Sequence, residues 1–416
     1  MAAAGLLGVG AMVHACVALG QPVLHASRAM VPAAVLMAAV LLMDWLEPRR
    51  DRLLLLPVAL ISSLGIALLW RLDGYLAAKQ TVWMGVGALV LAATYLLVAD
   101  VRALRSLGTL SGVTAFVLLV ATMLWGEEKH GARLWLGIPG LAMFQPGELA
   151  KVLLALFAAS ALTSYREATE GNGKQTWLTV GLVAVGLLAV AVFLLQQDFG
   201  AATLVLGVVL VMAYVATGAS TLVLATMALF GAGLVLGLAL VPALGHHATT
   251  VVARRLQAWV NPWASPLAAG YQAIQGLLCF AHGGLFGAGV GQGLPGALPV
   301  AESDMIYAVA AEDLGYAGSI TLLLAYALIA WRGFQLALAS EDTYSSLLAS
   351  GLATLLALQS LVIVGGVLRV VPLTGLTLPW LSYGGSSVVA SFITVGLLLC
   401  ISRDSVRWPA SVRGKR

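Results

Sequence analysis

The chain has 416 residues, of which 61% are hydrophobic and only 10% charged. An ordinary soluble domain carries roughly 25% charged residues, so a water-facing surface over this length is excluded. The 22 Lys and Arg against 18 Asp and Glu leave a net charge of +4, far too small for a nucleic-acid-binding surface but in keeping with membrane loops that are basic on one side.

A helix that crosses the hydrocarbon core needs about 20 mostly apolar residues. Twelve stretches meet this, near 3–20, 29–46, 53–70, 80–98, 107–125, 147–163, 177–195, 201–217, 220–243, 305–331, 346–368 and 384–402. The first lacks the preceding Lys or Arg of a signal peptide and is read as a helix. The predicted fold is an all-α polytopic membrane protein. Residues 1–48 form an additional N-terminal helix pair, and 49–416 form the main transmembrane unit.

With the N-terminus inside, 13 cations lie on the cytoplasmic side: Arg49, Arg50, Arg52, Arg102, Arg105, Arg166, Lys174, Arg332, Arg403, Arg407, Arg413, Lys415 and Arg416. Eight lie outside and Lys151 falls within a span. The bias favours both termini inside. Two outer segments are long, 126–146 and 245–303. The second alternates polar and apolar stretches (251–259, 271–285) and is expected to contain surface-lying or re-entrant helices. Cys16, Cys279 and Cys400 are scattered in apolar surroundings and make neither a disulfide framework nor a zinc site.

Charge inside a bilayer is expensive, so intramembrane ionisable residues are functional candidates. Glu148 and Lys151 stand at i, i+3 on one helix face, either as a structural ion pair or as part of a site. Asp198 either caps the next helix or serves a site. Ser303 or Asp304 suits a helix start, yet a carboxylate at the membrane boundary under a large outer loop is also where a general base would meet a lipid-linked substrate. Glu312 and Asp313 follow two helical turns later. Lys129, Arg133, Arg254, Arg255 and Arg369 are cations that either snorkel or bind an anionic head group. His246-His247 has no third ligand nearby, so no metal site is assigned, and a requirement for a divalent cation is left open.

Two glycine-rich segments remain. The run from Gly283 to Gly293 has no strand before it and is not a dinucleotide loop, although its backbone amides are expected to be able to cradle a pyrophosphate. Ser382-Tyr383-Gly384-Gly385-Ser386-Ser387 follows a non-helical approach with Pro372 and Pro379. It reads either as an anion site at a helix start or as close helix packing.

Taken in order, these segments resemble the SEDS family, the FtsW, RodA and SpoVE proteins, from about Leu53 to Arg403. The resemblance rests on Gly131-Ala132-Arg133-Leu134-Trp135 with Gln145-Pro146-Gly147-Glu148-Leu149-Ala150-Lys151, and on Gln197-Asp198-Phe199-Gly200. It continues through Gly270-Tyr271-Gln272 with the glycine run, Ala301-Glu302-Ser303-Asp304, and Pro372 through Ser387. It implies a ten-helix core and polymerisation of peptidoglycan glycan strands from lipid II, with inversion and release of undecaprenyl pyrophosphate. The expected setting is the outer face of the bacterial cytoplasmic membrane, beside a class B penicillin-binding protein that crosslinks. The family's key acid ends a Pro-x-x-x-x-Asp stretch, matched by Pro299 to Asp304, which implies Asp304 as catalytic base. Lys129, Arg133, Glu148, Lys151, Asp198, Gln272, Glu302, Arg369, Ser386 and Ser387 are the expected substrate-binding residues. This chain departs from the common pattern in two places. Leu134 stands where many members have the motif's arginine, and Glu302 stands where a histidine is common. The Pro-Leu-Thr-Gly and Gln-Pro-Gly-Glu variants lean toward the elongation (RodA-like) branch. The rival reading is a flippase or transporter of lipid II. A secondary transporter is disfavoured, because the sequence shows no broken, paired helices in two halves.

Overall fold

An apolar helix satisfies its own backbone hydrogen bonds and so suits lipid. The computed structural model is built mainly from such helices. It describes residues 2–20, 51–129, 132–138, 142–170, 190–221, 249–293 and 298–405, with isolated positions between 31 and 41 and at 224 and 228. The spans expected at 29–46 and 220–243, most of 177–195, and His246-His247 lie outside the described residues.

The helices are α1 (Ala2–Ala18), α2 (Leu55–Leu72), α3 (Gly74–Leu97), α4 (Gly108–Trp125), α5 (Pro146–Glu170) and α6 (Phe199–Thr217). They continue as α7 (Thr249–Val260), α8 (Tyr271–Gly283), α9 (Ile306–Ala339), α10 (Thr343–Val367) and α11 (Gly385–Ser405). Among the described residues, eight helices, α2 to α6 and α9 to α11, are long and apolar enough to cross a membrane. The expectation of a purely helical chain needs one correction. Between 127 and 144 the described residues form a small antiparallel sheet of β1 (Glu127–Lys129), β2 (Ala132–Ile138) and β3 (Ala142–Phe144). Trp135, an aromatic residue favoured in strands, lies in its middle strand. The expected helices of 245–303 are α7 and α8, and α8 packs along α9.

α2, α10 and α11 form the centre, with 78% of each span buried, whereas α4 is only 33% buried. Val82 and Leu89 of α3 and Leu110, Val113, Val117 and Leu124 of α4 are exposed, the surface that lipid requires.

The helices have two distinct ends. At one, Arg332 of α9 binds Asp51, whose amide donates to Ser402 Oγ at 3.0 Å, and Arg403 donates to the Val98 carbonyl at 2.7 Å. At the other, the C-termini of α2 and α10 meet the N-termini of α3, α5, α6, α9 and α11. Between α10 and α11 runs an extended strap, residues 370–384. Trp380 holds the strap in place. It is fully buried, has φ 59°, and packs edge-on against Phe392 at 6.0 Å. Tyr326 donates to the Pro379 carbonyl at 2.6 Å. Left-handed backbone at a bulky residue costs about 1–3 kcal/mol, and these contacts offset it.

α2 approaches the strap where Gly65 removes the side chain. A Cβ there would stand 2.7 Å from the Trp380 carbonyl oxygen. Gly65→Ala gains about 0.5–1 kcal/mol of helix preference but overpacks a backbone contact at a cost of about 1–3 kcal/mol. The expected result is a lower thermal midpoint in detergent.

Candidate active site

Asp304 closes the turn that leads into α9. Asp304 is not the N-cap: that position is Met305, whose side chain makes no capping bond. The Asp304 carboxylate instead accepts from Ser303 Oγ at 3.1 Å. The turn itself is tied to the strap. Ser382 Oγ donates to the Ser303 carbonyl at 2.7 Å and accepts from the Leu378 amide at 2.8 Å, while the Tyr383 amide donates to the Glu302 carbonyl at 2.8 Å. Gln80 of α3 fixes the same stretch, donating to the Ser382 carbonyl at 2.9 Å and accepting from the Gly384 amide at 3.2 Å.

Across the strap stands Arg255 of α7, whose Nη1 donates to the Thr374 carbonyl at 2.9 Å. Gly375, with φ 77°, separates it from Asp304. A Cβ on Gly375 would lie 3.2 Å from Arg255 Nη2 and 3.6 Å from Asp304 Oδ2. Glycine thus lets a guanidinium and a carboxylate both come close to the strap backbone at this point. The sequence names Arg255 only as one outer cation among several. Its i, i+4 relation to Trp259 is the local signal that the two share a helix face. Trp259 Nε1 donates to the Arg369 carbonyl at 3.0 Å, and Arg369 Nη2 donates back to the Trp259 carbonyl at 2.6 Å. Arg369 therefore pins α7 to the end of α10.

Glu148 and Lys151 pair as their spacing predicts. Lys151 Nζ donates to Glu148 Oε1 at 2.9 Å, and both side chains are buried. Lys151 also lies 3.4 Å from Gln359 Oε1, and Gln359 Nε2 donates to the Thr377 carbonyl of the strap at 2.8 Å. Asp198 caps α6 by accepting from the Ala201 amide at 2.9 Å. Burial pushes its carboxyl above the usual carboxylate range, opposed by the Ala201 amide and by the charges of Lys151 and Arg255. Gly200 then lets α6 meet Thr374 and Leu376 of the strap.

Ser386 Oγ accepts from the Gln145 amide at 2.9 Å, and Ser387 Oγ is buried without a partner. The strap thus collects Asp304, Glu302, Arg255, Lys151, Glu148, Asp198, Ser386 and Ser387 into one region. The remaining expected residues lie elsewhere. Gln272 is half-buried in the first turn of α8. Arg133 lies on β2, 3.7 Å from Glu128, with both side chains largely exposed, and Lys129 ends β1.

The glycine run departs from expectation. Its amides face inward: Ala288 donates to the Glu312 carbonyl at 2.9 Å and Gly289 to the Asp313 carbonyl at 3.1 Å. These donors are consumed by the protein and make no pyrophosphate cradle. Among the described residues, no three His, Cys, Asp or Glu side chains are grouped to hold a metal ion. Chemically, the region sets one carboxylate beside Gly375, opposite Arg255, and places cations around it. A proton acceptor and charge stabilisers for an anionic leaving group are the parts that glycosyl transfer needs.

A family model described as a cell cycle protein, covering FtsW, RodA and SpoVE, matches residues 45–407. The chain belongs to the FtsW/RodA/SpoVE family. Among relatives of this family, the peptidoglycan glycosyltransferase RodA of Mycobacterium leprae is 37% identical over 386 residues, covering 88% of this chain and 80% of that protein. RodA of Mycobacterium tuberculosis is 36% identical over 383 residues, covering 86% and 79%. Stage V sporulation protein E of Bacillus subtilis is 33% identical over 362 residues, covering 85% and 95%. Two solved structures share the fold. A chain from a study of polymerization and crosslinking by a peptidoglycan synthase complex superposes with a TM-score of 0.72 at 32% identity, covering 86% of this chain and 99% of that one. The rod shape determining protein RodA of Thermus thermophilus gives 0.61 at 30% identity, covering 88% and 100%.

Breaking a buried ion pair by removing one partner costs about 3–5 kcal/mol. Lys151→Met is expected to destabilise this SEDS fold by that order. Adding Glu148→Gln should restore most of the loss, as read by thermal unfolding in detergent.

Proposed function

We propose that this multi-pass membrane protein is a peptidoglycan glycosyltransferase that polymerises glycan strands from lipid II. The carrying observation is the Asp304 carboxylate, which stands beside Gly375 opposite Arg255, in the turn that precedes the N-cap of α9. Asp304 takes the proton of the acceptor sugar hydroxyl as that oxygen attacks the donor's anomeric carbon. The new C–O bond forms on the face opposite the leaving group, so the anomeric configuration inverts. The bond from the anomeric carbon to the pyrophosphate oxygen breaks, and undecaprenyl pyrophosphate leaves with the electron pair. Arg255 and Lys151 stabilise the charge that develops there.

This chemistry belongs at the outer face of the bacterial cytoplasmic membrane, in line with the cation bias of the sequence. The exposed apolar surfaces of α3 and α4 suit membrane lipid and lipid tails. A class B penicillin-binding protein is the proposed partner, supported by the related chain solved from a synthase complex that polymerises and crosslinks. Identity of 36–37% to proteins named RodA, against 33% to the sporulation relative, favours the elongation branch. The N-terminal pair, 1–48, takes no part in the chemistry. Its helix α1 braces the core, with His14 Nδ1 2.9 Å from the Val290 carbonyl oxygen.

General-base assistance contributes typically about 10²–10⁴-fold. Purified protein with lipid II and its partner should therefore lose at least about 10²-fold in glycan-chain formation on Asp304→Asn, measured by gel separation of labelled polymer. Chains formed at the wild-type rate by that variant would remove the polymerase reading with Asp304 as base.

A further inference from the structure

α9 is not one rod. Gly315 has φ 69° and ψ −171°, so the helix breaks there. The half from Ile306 to Leu314 is a separate short lever. Its near end follows Asp304, and its far end carries Glu312 and Asp313, about 12 Å away by the helical rise.

The far end is held by one residue of another span. Arg71, at the end of α2, donates from Nη2 to Glu312 Oε2 at 2.7 Å and from Nη1 to Asp313 Oδ1 at 2.5 Å. Arg71 and Asp313 have no exposed side-chain surface, and Glu312 is 4% exposed. Only a forked cation can reach both acids at once. His282 of α8 adds a contact to Glu312 Oε1 at 3.1 Å and is half-exposed.

The glycine run is spliced into the break. Besides the two amides bound to the Glu312 and Asp313 carbonyls, the loop accepts from the next half-helix. Tyr316 N donates to the Gly284 carbonyl at 2.9 Å and Ala317 N to the Leu285 carbonyl at 3.1 Å. Gly293 leaves room for the acids: a Cβ there would stand 2.3 Å from Glu312 and 2.4 Å from Arg71 Nη2. α1 closes the back of this loop, where Gly291 lies against Ala15.

We infer that Arg71 is a positioning residue, which fixes Asp304 by clamping the far end of the half-helix that begins beside it. The inference rests on Asp304 being the base of the proposed polymerase. Without Arg71, two adjacent buried carboxylates repel each other and lose the guanidinium that bridges them. The half-helix then relieves them by turning about Gly315 toward water, and Asp304 moves at the other end. Misplacement of a catalytic group by about 1 Å costs on the order of 10²-fold.

The test uses the full chain with its partner and lipid II. Arg71→Gln is expected to lower kcat on the order of 10²-fold with KM changed by less than about threefold, because substrate contacts are untouched. The pH at which kcat rises should stay at its wild-type value, because the base itself is unchanged. Arg71→Lys keeps the charge but loses the fork, and should recover about tenfold. Wild-type kcat in folded Arg71→Gln, with only the thermal midpoint lowered, overturns the inference and leaves Arg71 a brace. A raised KM at unchanged kcat also overturns it. Should Arg71→Gln not fold, Arg71→Lys decides: kcat reduced about tenfold at constant KM supports the clamp, and wild-type kcat overturns it. Polymerisation by the wild type that is lost in Asp304→Asn is the prior control, so failure of the polymerase reading is seen separately.

Discussion

Backbone polar groups inside a lipid-embedded protein must find partners within the protein, and this constraint shapes every functional feature of the chain. Non-helical backbone packs among the described helices in the strap of residues 370–384 and in the glycine run at the Gly315 break. Each is stitched to neighbouring helices. The strap receives bonds from Tyr326, Gln80 and Gln359. The glycine run exchanges four backbone bonds with the two halves of α9. The candidate base lies between these two segments, where irregular backbone frees a side chain from helix geometry.

Charge follows the same logic. Buried carboxylates are each matched within the fold: Glu148 by Lys151, Asp198 by the amide of Ala201, and Glu312 and Asp313 by Arg71. These pairings hold helices in register. Arg255 is held differently, with one arm on a strap carbonyl and the other beside Gly375. A planar guanidinium at that place suits a ligand that carries negative charge.

Eight of the twelve expected spans, the Glu148–Lys151 pair, the Asp198 cap and the non-helical approach to α11 were legible in the sequence, because each depends on composition or on local spacing. The arrangement that makes a site was not. Arg71 meets Glu312 across 241 positions, and Arg255 reaches Thr374 across 119; no local period encodes such contacts. The break at Gly315 was also hidden, since a single glycine in an apolar helix is ordinarily tolerated. The glycine run read as an exposed ligand loop because its amides were counted before the helix carbonyls that consume them were known. The short sheet between 127 and 144 was missed for a different reason: its two outer strands have only three residues each, so the seven-residue middle strand showed no hairpin partner in the sequence.

The strap's attachments have a bearing on biosynthesis. Gln80, made early, bonds to Ser382 after an interval of 302 residues, and Asp51 bonds to Ser402 across 351. Such long-range closure comes late in folding. A nascent chain that has threaded its first ten helices into the bilayer still lacks the groups that pin the Asp304 turn. Catalytic competence is therefore reached only once translation is nearly finished, and a prematurely terminated product occupies the membrane without polymerising anything.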